Sequence, residues 1–276
     1  MAFKSYKTNY FNYKHLIFGS PLHNSDKHHH KVGILGGLTL LGADALSSVA
    51  YATEEIILAL TVLGPAWFYC SIPISLSIIF IMMVVILSYR QTVQAYPTGG
   101  GAYGITRHEL GKNPALLAAA ALFLDYILTV TVSIAAGVRA LVSCMPPLYP
   151  YTLHLSLMAL LLLGWLSLRG VRESARLLCW PLLLFLGGMV CLMVMGIKHA
   201  PSPQTPPMDN SLNMTAFFII MRAFAGGCTA MTGIEAVANA VTLFKEPAVK
   251  HAQKLYTHLA LWLMVLFGGI SYLIYV

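Results

Sequence analysis

The 276 residues include 58% hydrophobic and only 10% charged side chains, whereas a soluble domain has about 25% charged residues, so an ordinary soluble protein is excluded. The net charge of +7 does not indicate a nucleic-acid partner, because the basic residues are distributed among short segments between long apolar runs. One bilayer crossing needs about 20 mostly apolar residues. Seven such runs occur, at 33–63, 67–88, 115–142, 152–168, 177–197, 215–243 and 255–275.

The basic residues also predict the orientation of the chain. If the amino terminus is cytoplasmic, all of the 17 Lys and Arg residues except Arg139, Lys198 and Arg222 lie in cytoplasmic segments, as the positive-inside rule requires. Residues 1–32 are polar and lack the apolar core of a secretory signal. We therefore predict a multi-pass protein of the cell inner (plasma) membrane with 1–32 as a cytoplasmic tail.

The first apolar run is too long for one straight crossing. At 1.5 Å per residue it would measure nearly 50 Å, against a hydrocarbon core of about 30 Å. Gly36, Gly37 and Gly42 precede Asp44 in this run, and glycine weakens a helix. The run is therefore expected to bend, break or protrude, and the glycines favour an interruption near Asp44. A second interpretation is that the glycines allow close helix packing.

A glycine-rich segment separates the second run from the third. Gly99, Gly100 and Gly101 are consecutive, but no Lys-Ser or Lys-Thr pair follows them, so they do not form a phosphate-binding loop. The segment is cytoplasmic by the predicted topology. We expect it to form a turn near the cytoplasmic gate.

The third run places oxygen-bearing side chains in one stripe. Tyr126, Thr129, Ser133 and Gly137 are separated by three, four and four residues, which puts them on one helix face that we expect to point inward. Hydroxyl oxygens suit a dehydrated cation or a polar solute. The alternative is that Ser and Thr bond to their own helix or bridge neighbouring helices.

The sixth run resembles the first in having glycines beside an acid. Gly226, Gly227 and Gly233 surround the hydroxyl of Thr232, and Glu235 follows. We predict a helix break here. Unwound segments at membrane depth supply carbonyl and amide groups to a transported solute.

Three acids lie within the predicted spans. Asp44 is at the first interruption, Asp125 is near the middle of the third run, and Glu235 follows the sixth-run break. Ionisable groups in a membrane are costly and are therefore functional candidates. All three are candidates for proton coupling, and the sequence does not rank them. For Asp44 and Glu235 the alternative is a structural hydrogen bond that stabilises the break.

Interruptions in the first and sixth segments are typical of a five-helix repeat followed by its inverted copy. The predicted organisation has the first repeat at 33–197, an extracytoplasmic loop at 198–214, and the start of the second repeat at 215–276. Three helices of the second repeat are then expected to be absent after Val276.

Several motifs resemble a known family: GGLTLLGADALSSVAYATEEI, YPTGGGAYGITRHELG, LDYILTVTVSIAAGVRAL, RGVRES and FAGGCTAMTGIEAVANAV. They resemble the amino acid-polyamine-organocation (APC) superfamily and, more narrowly, the bacterial KUP-type proton-coupled potassium importers. The resemblance implies an all-α membrane protein with a LeuT-type 5+5 inverted repeat, cut off after about seven helices. It also implies potassium and proton as substrates, no cofactor, and a cation site formed by Asp44, Tyr51, Tyr126, Thr129, Ser133, Thr232 and Glu235.

Other interpretations remain open at this point. The glycine-rich segment with Gly99, Gly100 and Gly101 is shared with amino acid permeases, so an amino acid is the alternative substrate. The resembled transporters have about twelve helices, so an inactive fragment, a homodimer or a partner chain that supplies the missing helices is also possible. An enzyme is not expected, because no HExxH or GxSxG pattern occurs.

Overall fold

The computed structural model describes residues 31–168, 171–199 and 213–275. The predicted cytoplasmic tail, except for its last two residues, lies outside the described residues. Most of the predicted 198–214 loop and Val276 lie outside them as well.

The described residues form helices that account for all seven predicted crossings, so the all-helical membrane fold is confirmed. The helices are α1 (Ile34–Thr61), α2 (Ser71–Ala95), α3 (Gly101–Glu109), α4 (Lys112–Cys144), α5 (Thr152–Leu168), α6 (Val171–His199), α7 (Met214–Gly227), α8 (Ala236–Asn239) and α9 (Ala248–Tyr275). Short 3₁₀ turns at Pro65–Cys70 and Pro146–Tyr151 precede α2 and α5.

The predicted break in the first segment is wrong, because the segment does not unwind. The chain stays helical throughout α1, with a π-helical stretch at Leu38–Gly42 between two α-helical parts. The reason is packing: a Cβ on Gly37 would overlap the Phe244 ring, and one on Gly42 would lie 2.9 Å from the Leu259 side chain. The glycines therefore allow neighbouring elements to approach closely.

The predicted break in the sixth segment is confirmed. Helix α7 gives way to a 3₁₀ turn at Cys228–Met231, after which Thr232 is extended. Gly233 follows with a φ of 81°, a left-handed conformation that glycine adopts without steric cost. The short helix α8 and a 3₁₀ turn at Val241–Leu243 complete the segment.

The core is formed where α1 and α9 pack with α2, α7 and the broken segment. Tyr256 on α9 is completely buried and donates a hydrogen bond of 3.0 Å to the backbone carbonyl of Ile234. This bond satisfies a carbonyl that the broken helix leaves without a helical partner. Helix α9 therefore stabilises the break through the hydrogen bond from Tyr256 to Ile234.

The outer helices are much less covered. Helix α5 has no buried residue, and α4 packs mainly on α3 and α5 while touching α1 at only a few positions. Their apolar surfaces suit contact with lipid or with further helices.

Candidate functional site

Three hydroxyl groups meet where α1 faces the break. The hydroxyl oxygens of Ser48 and Thr232 are 2.8 Å apart, and the Tyr51 oxygen lies 2.5 Å from Ser48 and 3.3 Å from Thr232. Ser48 also contacts the carbonyl of Asp44 at 2.8 Å, and Thr232 contacts that of Thr229 at 2.8 Å. Ser48 and Tyr51 are three residues apart on α1, so they lie on the same face of the helix. The extended backbone at Thr232 turns its side chain towards α1.

The hydroxyl cluster, meaning Ser48, Tyr51 and Thr232, has more acceptor oxygens than protons. Each hydroxyl donates one proton, so three protons serve the five contacts that the cluster makes with itself and with two carbonyls. Two of the five oxygen–oxygen contacts therefore have no proton of their own. Such a set of converging lone pairs is chemically suited to a hard cation.

Asp44 lies directly against the bend in the sixth segment. A Cβ built on Gly233 would be 2.5 Å from Asp44 Oδ2, so the carboxylate occupies space that only glycine leaves open. The carboxylate forms no hydrogen bond or ion pair with the residues that the structure describes. The prediction of a structural hydrogen bond to the Asp44 side chain therefore has no support here.

The three candidate acids surround the same region. Asp44, Asp125 and Glu235 are close enough to interact electrostatically. Glu235 Oε1 is buried and has no hydrogen-bond partner among the residues that the structure describes. A buried carboxylate oxygen without a donor is costly, and a cation or a proton would satisfy it.

Tyr126 of the predicted stripe links α4 to the broken segment. Asn239, the last residue of α8, donates a side-chain hydrogen bond to the Tyr126 hydroxyl. The carbonyl of Asn239 accepts from the backbone N–H of Gly100 at 3.3 Å. A Cβ on Gly101 would overlap the Asn239 side-chain oxygen. The glycine loop, residues 96–101, therefore packs directly on the end of the break.

The rest of the stripe is only partly enclosed. Ser133 Oγ is buried and has no hydrogen-bond partner in the described part of the chain, and Thr129 is half-buried. Tyr126 is 40% exposed, and a Cβ on Gly137 would meet nothing within 4 Å. The prediction that the whole stripe faces the interior is therefore wrong at Gly137, because α4 touches α1 at only a few positions.

Sequence reasoning missed two residues of the site. Ser48 is one of them, and its spacing of four from Asp44 and three from Tyr51, which places the three residues on one helix face, is the signal that could have found it. Asn239 was not singled out, because a polar residue at the end of an apolar run usually marks a helix terminus.

Comparisons with known proteins identify the family of the chain. Residues 36–276 match the family model described as "Amino acid permease". Over 272 residues the chain is 38% identical to "Potassium transporter KimA" of Bacillus subtilis (strain 168), and the match covers 96% of this chain and 45% of that relative. The chain therefore spans about half the length of the curated relative.

Proposed function

Because the chain belongs to the amino acid permease family of membrane transporters, we propose that it forms the ion-binding half of a proton-coupled potassium uptake system that works by alternating access. Family membership makes it a transporter protein and not an enzyme. The observation that carries the potassium proposal is the hydroxyl cluster, in which three protons serve five oxygen contacts.

The proposed cation site has two walls. One wall is α1, which provides Asp44 and Tyr51, and the other is the broken segment, which provides Thr232 and Glu235. The third group of proposed ligands, Tyr126, Thr129 and Ser133, approaches from α4. Oxygen ligands without competing nitrogen or sulfur suit an alkali cation, and the relative's name, potassium transporter, supports that substrate.

Proton coupling is proposed to arise from the proximity of the three acids. A cation beside Asp44 or Glu235 changes the electrostatic potential at the other acids, including Asp125. Cation and proton occupancy are then linked through the same charges. The proposed carriers remain Asp44, Asp125 and Glu235.

Alternating access is proposed to involve the glycine loop. Asn239 joins Tyr126 on α4 to Gly100 of the loop, so movement of the broken segment would move both. The amino terminus is proposed to be cytoplasmic, which puts this contact at the cytoplasmic gate. We propose 33–197 as the first repeat and 215–276 as the start of an inverted second repeat, with potassium, protons and bilayer lipid as partners.

An uptake assay with a chimaera tests the potassium proposal. In this chimaera the chain replaces the matching part of the Bacillus relative and is expressed in cells that lack potassium uptake. Growth at low potassium is expected, and Asp44→Asn is expected to abolish it. Failure of a correctly inserted chimaera to restore growth would overturn the proposal.

The family description favours one second candidate, an amino acid substrate. Saturable uptake of a radiolabelled amino acid by the same chimaera, unaffected by Asp44→Asn, would support it. The two candidates differ in the role of Asp44, because an amino acid zwitterion does not require an acid at this position.

A further inference from the structure

A cavity lies away from the proposed cation site, on the side of the membrane where α1 and α6 begin. It has a volume of about 240 Å³ and is lined by three basic residues, Lys31, Arg176 and Lys245, together with apolar residues that include Leu35 and Ala175. We call it the basic pocket. It shares no residue with the hydroxyl cluster or with the three acids.

A single β-bridge shapes one wall of the basic pocket. Val32 pairs with Phe244, with Val32 donating to the Leu243 carbonyl at 2.9 Å and Lys245 donating to the Val32 carbonyl at 3.0 Å. The side chains of Val32 and Phe244 are buried. Because neighbouring residues of extended chain point to opposite sides, Lys31 and Lys245 both project away from the core, into the same cavity.

Helix α6 provides the opposite wall. Ala175 lies 3.8 Å from the position of a Cβ on Gly36, so the first turns of α6 pack closely on the start of α1. Arg176 and Cys179, one helical turn apart, then face the cavity. This close approach of α6 to α1 depends on the small size of Gly36 and Ala175.

Much of the positive charge in the basic pocket is uncompensated. Lys31 pairs with Glu246 at 2.9 Å. Neither Arg176 nor Lys245 forms an ion pair with any residue in the described part of the chain. These two cations at one cavity, beside the paired Lys31, attract an anion.

The surroundings favour an anion that carries an apolar tail. Leu35 is 58% exposed at the cavity, next to the apolar helices that cross the membrane. A soluble anion would leave this surface uncovered, whereas an acyl chain would cover it. Basic pockets between membrane helices are suited to phospholipid headgroups.

We propose that the basic pocket is a phosphate-group site that takes the headgroup of an anionic phospholipid, with Arg176 and Lys245 as its principal ligands. Arg176 offers a planar set of donors that matches two phosphate oxygens, and Lys245 adds a point charge. The lipid would join the starts of α1 and α6 to the end of the sixth segment. Bound lipid would therefore stabilise the packing of α1 and α6 against the end of the sixth segment.

Native mass spectrometry of the full chain tests this proposal. The purified protein is titrated with phosphatidylglycerol and, separately, with phosphatidylcholine. The wild type is expected to retain phosphatidylglycerol selectively. The double variant R176Q/K245Q is expected to bind phosphatidylglycerol about tenfold more weakly.

The matched control is K112Q/K250Q, which removes the same charge from exposed positions outside the basic pocket. It is expected to retain the lipid as the wild type does. Equal lipid retention by both double variants would overturn the proposal. Melting of each variant without added lipid shows whether the comparison is between folded proteins.

A second measurement uses Cys179, which lines the pocket. In nanodiscs with phosphatidylglycerol, its reaction with a maleimide is expected to be slower than in phosphatidylcholine alone, and R176Q/K245Q is expected to remove the difference. Inorganic phosphate added to phosphatidylcholine nanodiscs distinguishes the source of the phosphate. If phosphate alone protects Cys179 as well as the lipid does, the lipid assignment is overturned.

Discussion

The hydroxyl oxygens of Ser48 and Thr232 are 2.8 Å apart although the two residues are separated by 184 positions in the sequence. This contact joins α1 to the one segment in the described residues where a spanning helix unwinds. Any movement of the break relative to α1 must therefore change the geometry of the hydroxyl cluster. The proposed ion site and the position of the break are therefore joined by this contact.

Replacing Thr232 with valine should weaken potassium binding, because valine keeps the shape of the side chain and removes the hydroxyl. A ligand at 100 times its Kd stabilises a folded protein by about 2.7 kcal/mol, and most of that gain should be lost. The measurement is the melting temperature of the purified chain as potassium chloride replaces choline chloride at constant ionic strength. Thr257→Val is the control, since Thr257 is exposed and bonds within its own helix. Equal potassium effects in both variants would contradict the site.

Replacing Gly233 with alanine should both strain the break and displace Asp44. The φ of 81° costs an L-residue roughly 1–2 kcal/mol, and the new Cβ would lie 2.5 Å from Asp44 Oδ2. Chemical denaturation should show a loss of stability. Gly187→Ala, in a helix with nothing within 4 Å of the added Cβ, should be neutral or stabilising by up to about 1 kcal/mol. A stable Gly233→Ala protein with unchanged potassium binding would refute the predicted contact.

Replacing Tyr126 with phenylalanine should loosen the glycine loop, because it removes the acceptor of the Asn239 side chain. Loss of a hydrogen bond worth about 1 kcal/mol should speed amide exchange roughly fivefold. Hydrogen exchange of the 97–104 peptide measures this effect. Tyr149→Phe is the control, since Tyr149 is 75% exposed in a different turn. Unchanged exchange in Tyr126→Phe would show that the loop does not depend on this bond.

A pH effect is predicted at the contact between the end of α2 and the end of α3. Tyr96 donates a hydrogen bond to the Glu109 carboxylate, and His108 lies 3.0 Å from it. The Tyr96 bond, and then the His108 bond, lower the pKa of Glu109 below its ordinary value of 4.5. Because the folded pKa is the lower one, the contact stabilises the fold above pH 4.5 and is lost as the pH falls through the folded pKa.

Tyr96→Phe should therefore raise the pKa of Glu109 towards its ordinary value. A carbon-13 NMR titration of labelled glutamate carboxyls measures the change. Tyr103→Phe is the control, because the Tyr103 hydroxyl accepts from Arg107 and not from Glu109. An unchanged Glu109 titration in Tyr96→Phe would show that another group sets this pKa.

The sequence by itself determined the membrane fold, the seven crossings and the break in the sixth segment. These depend mainly on local properties: bilayer thickness sets the length of an apolar run, and Gly233 adopts a left-handed conformation that ends the helix. The acids Asp44, Asp125 and Glu235 could also be identified, because any ionisable residue in a span is conspicuous.

Only the tertiary structure decided how these features combine. The glycines of α1 allow close packing against Phe244 and Leu259 and do not unwind the helix. The sequence offered both interpretations, and no local pattern could choose between them. The same holds for the partnership of Ser48 with Thr232 and for the basic pocket between α1, α6 and the end of the break. Each of these contacts depends on which distant segments meet, and helix packing in three dimensions determines which segments meet. Periodicity along the chain specifies the buried face of a helix, but it does not specify the residue that lies opposite.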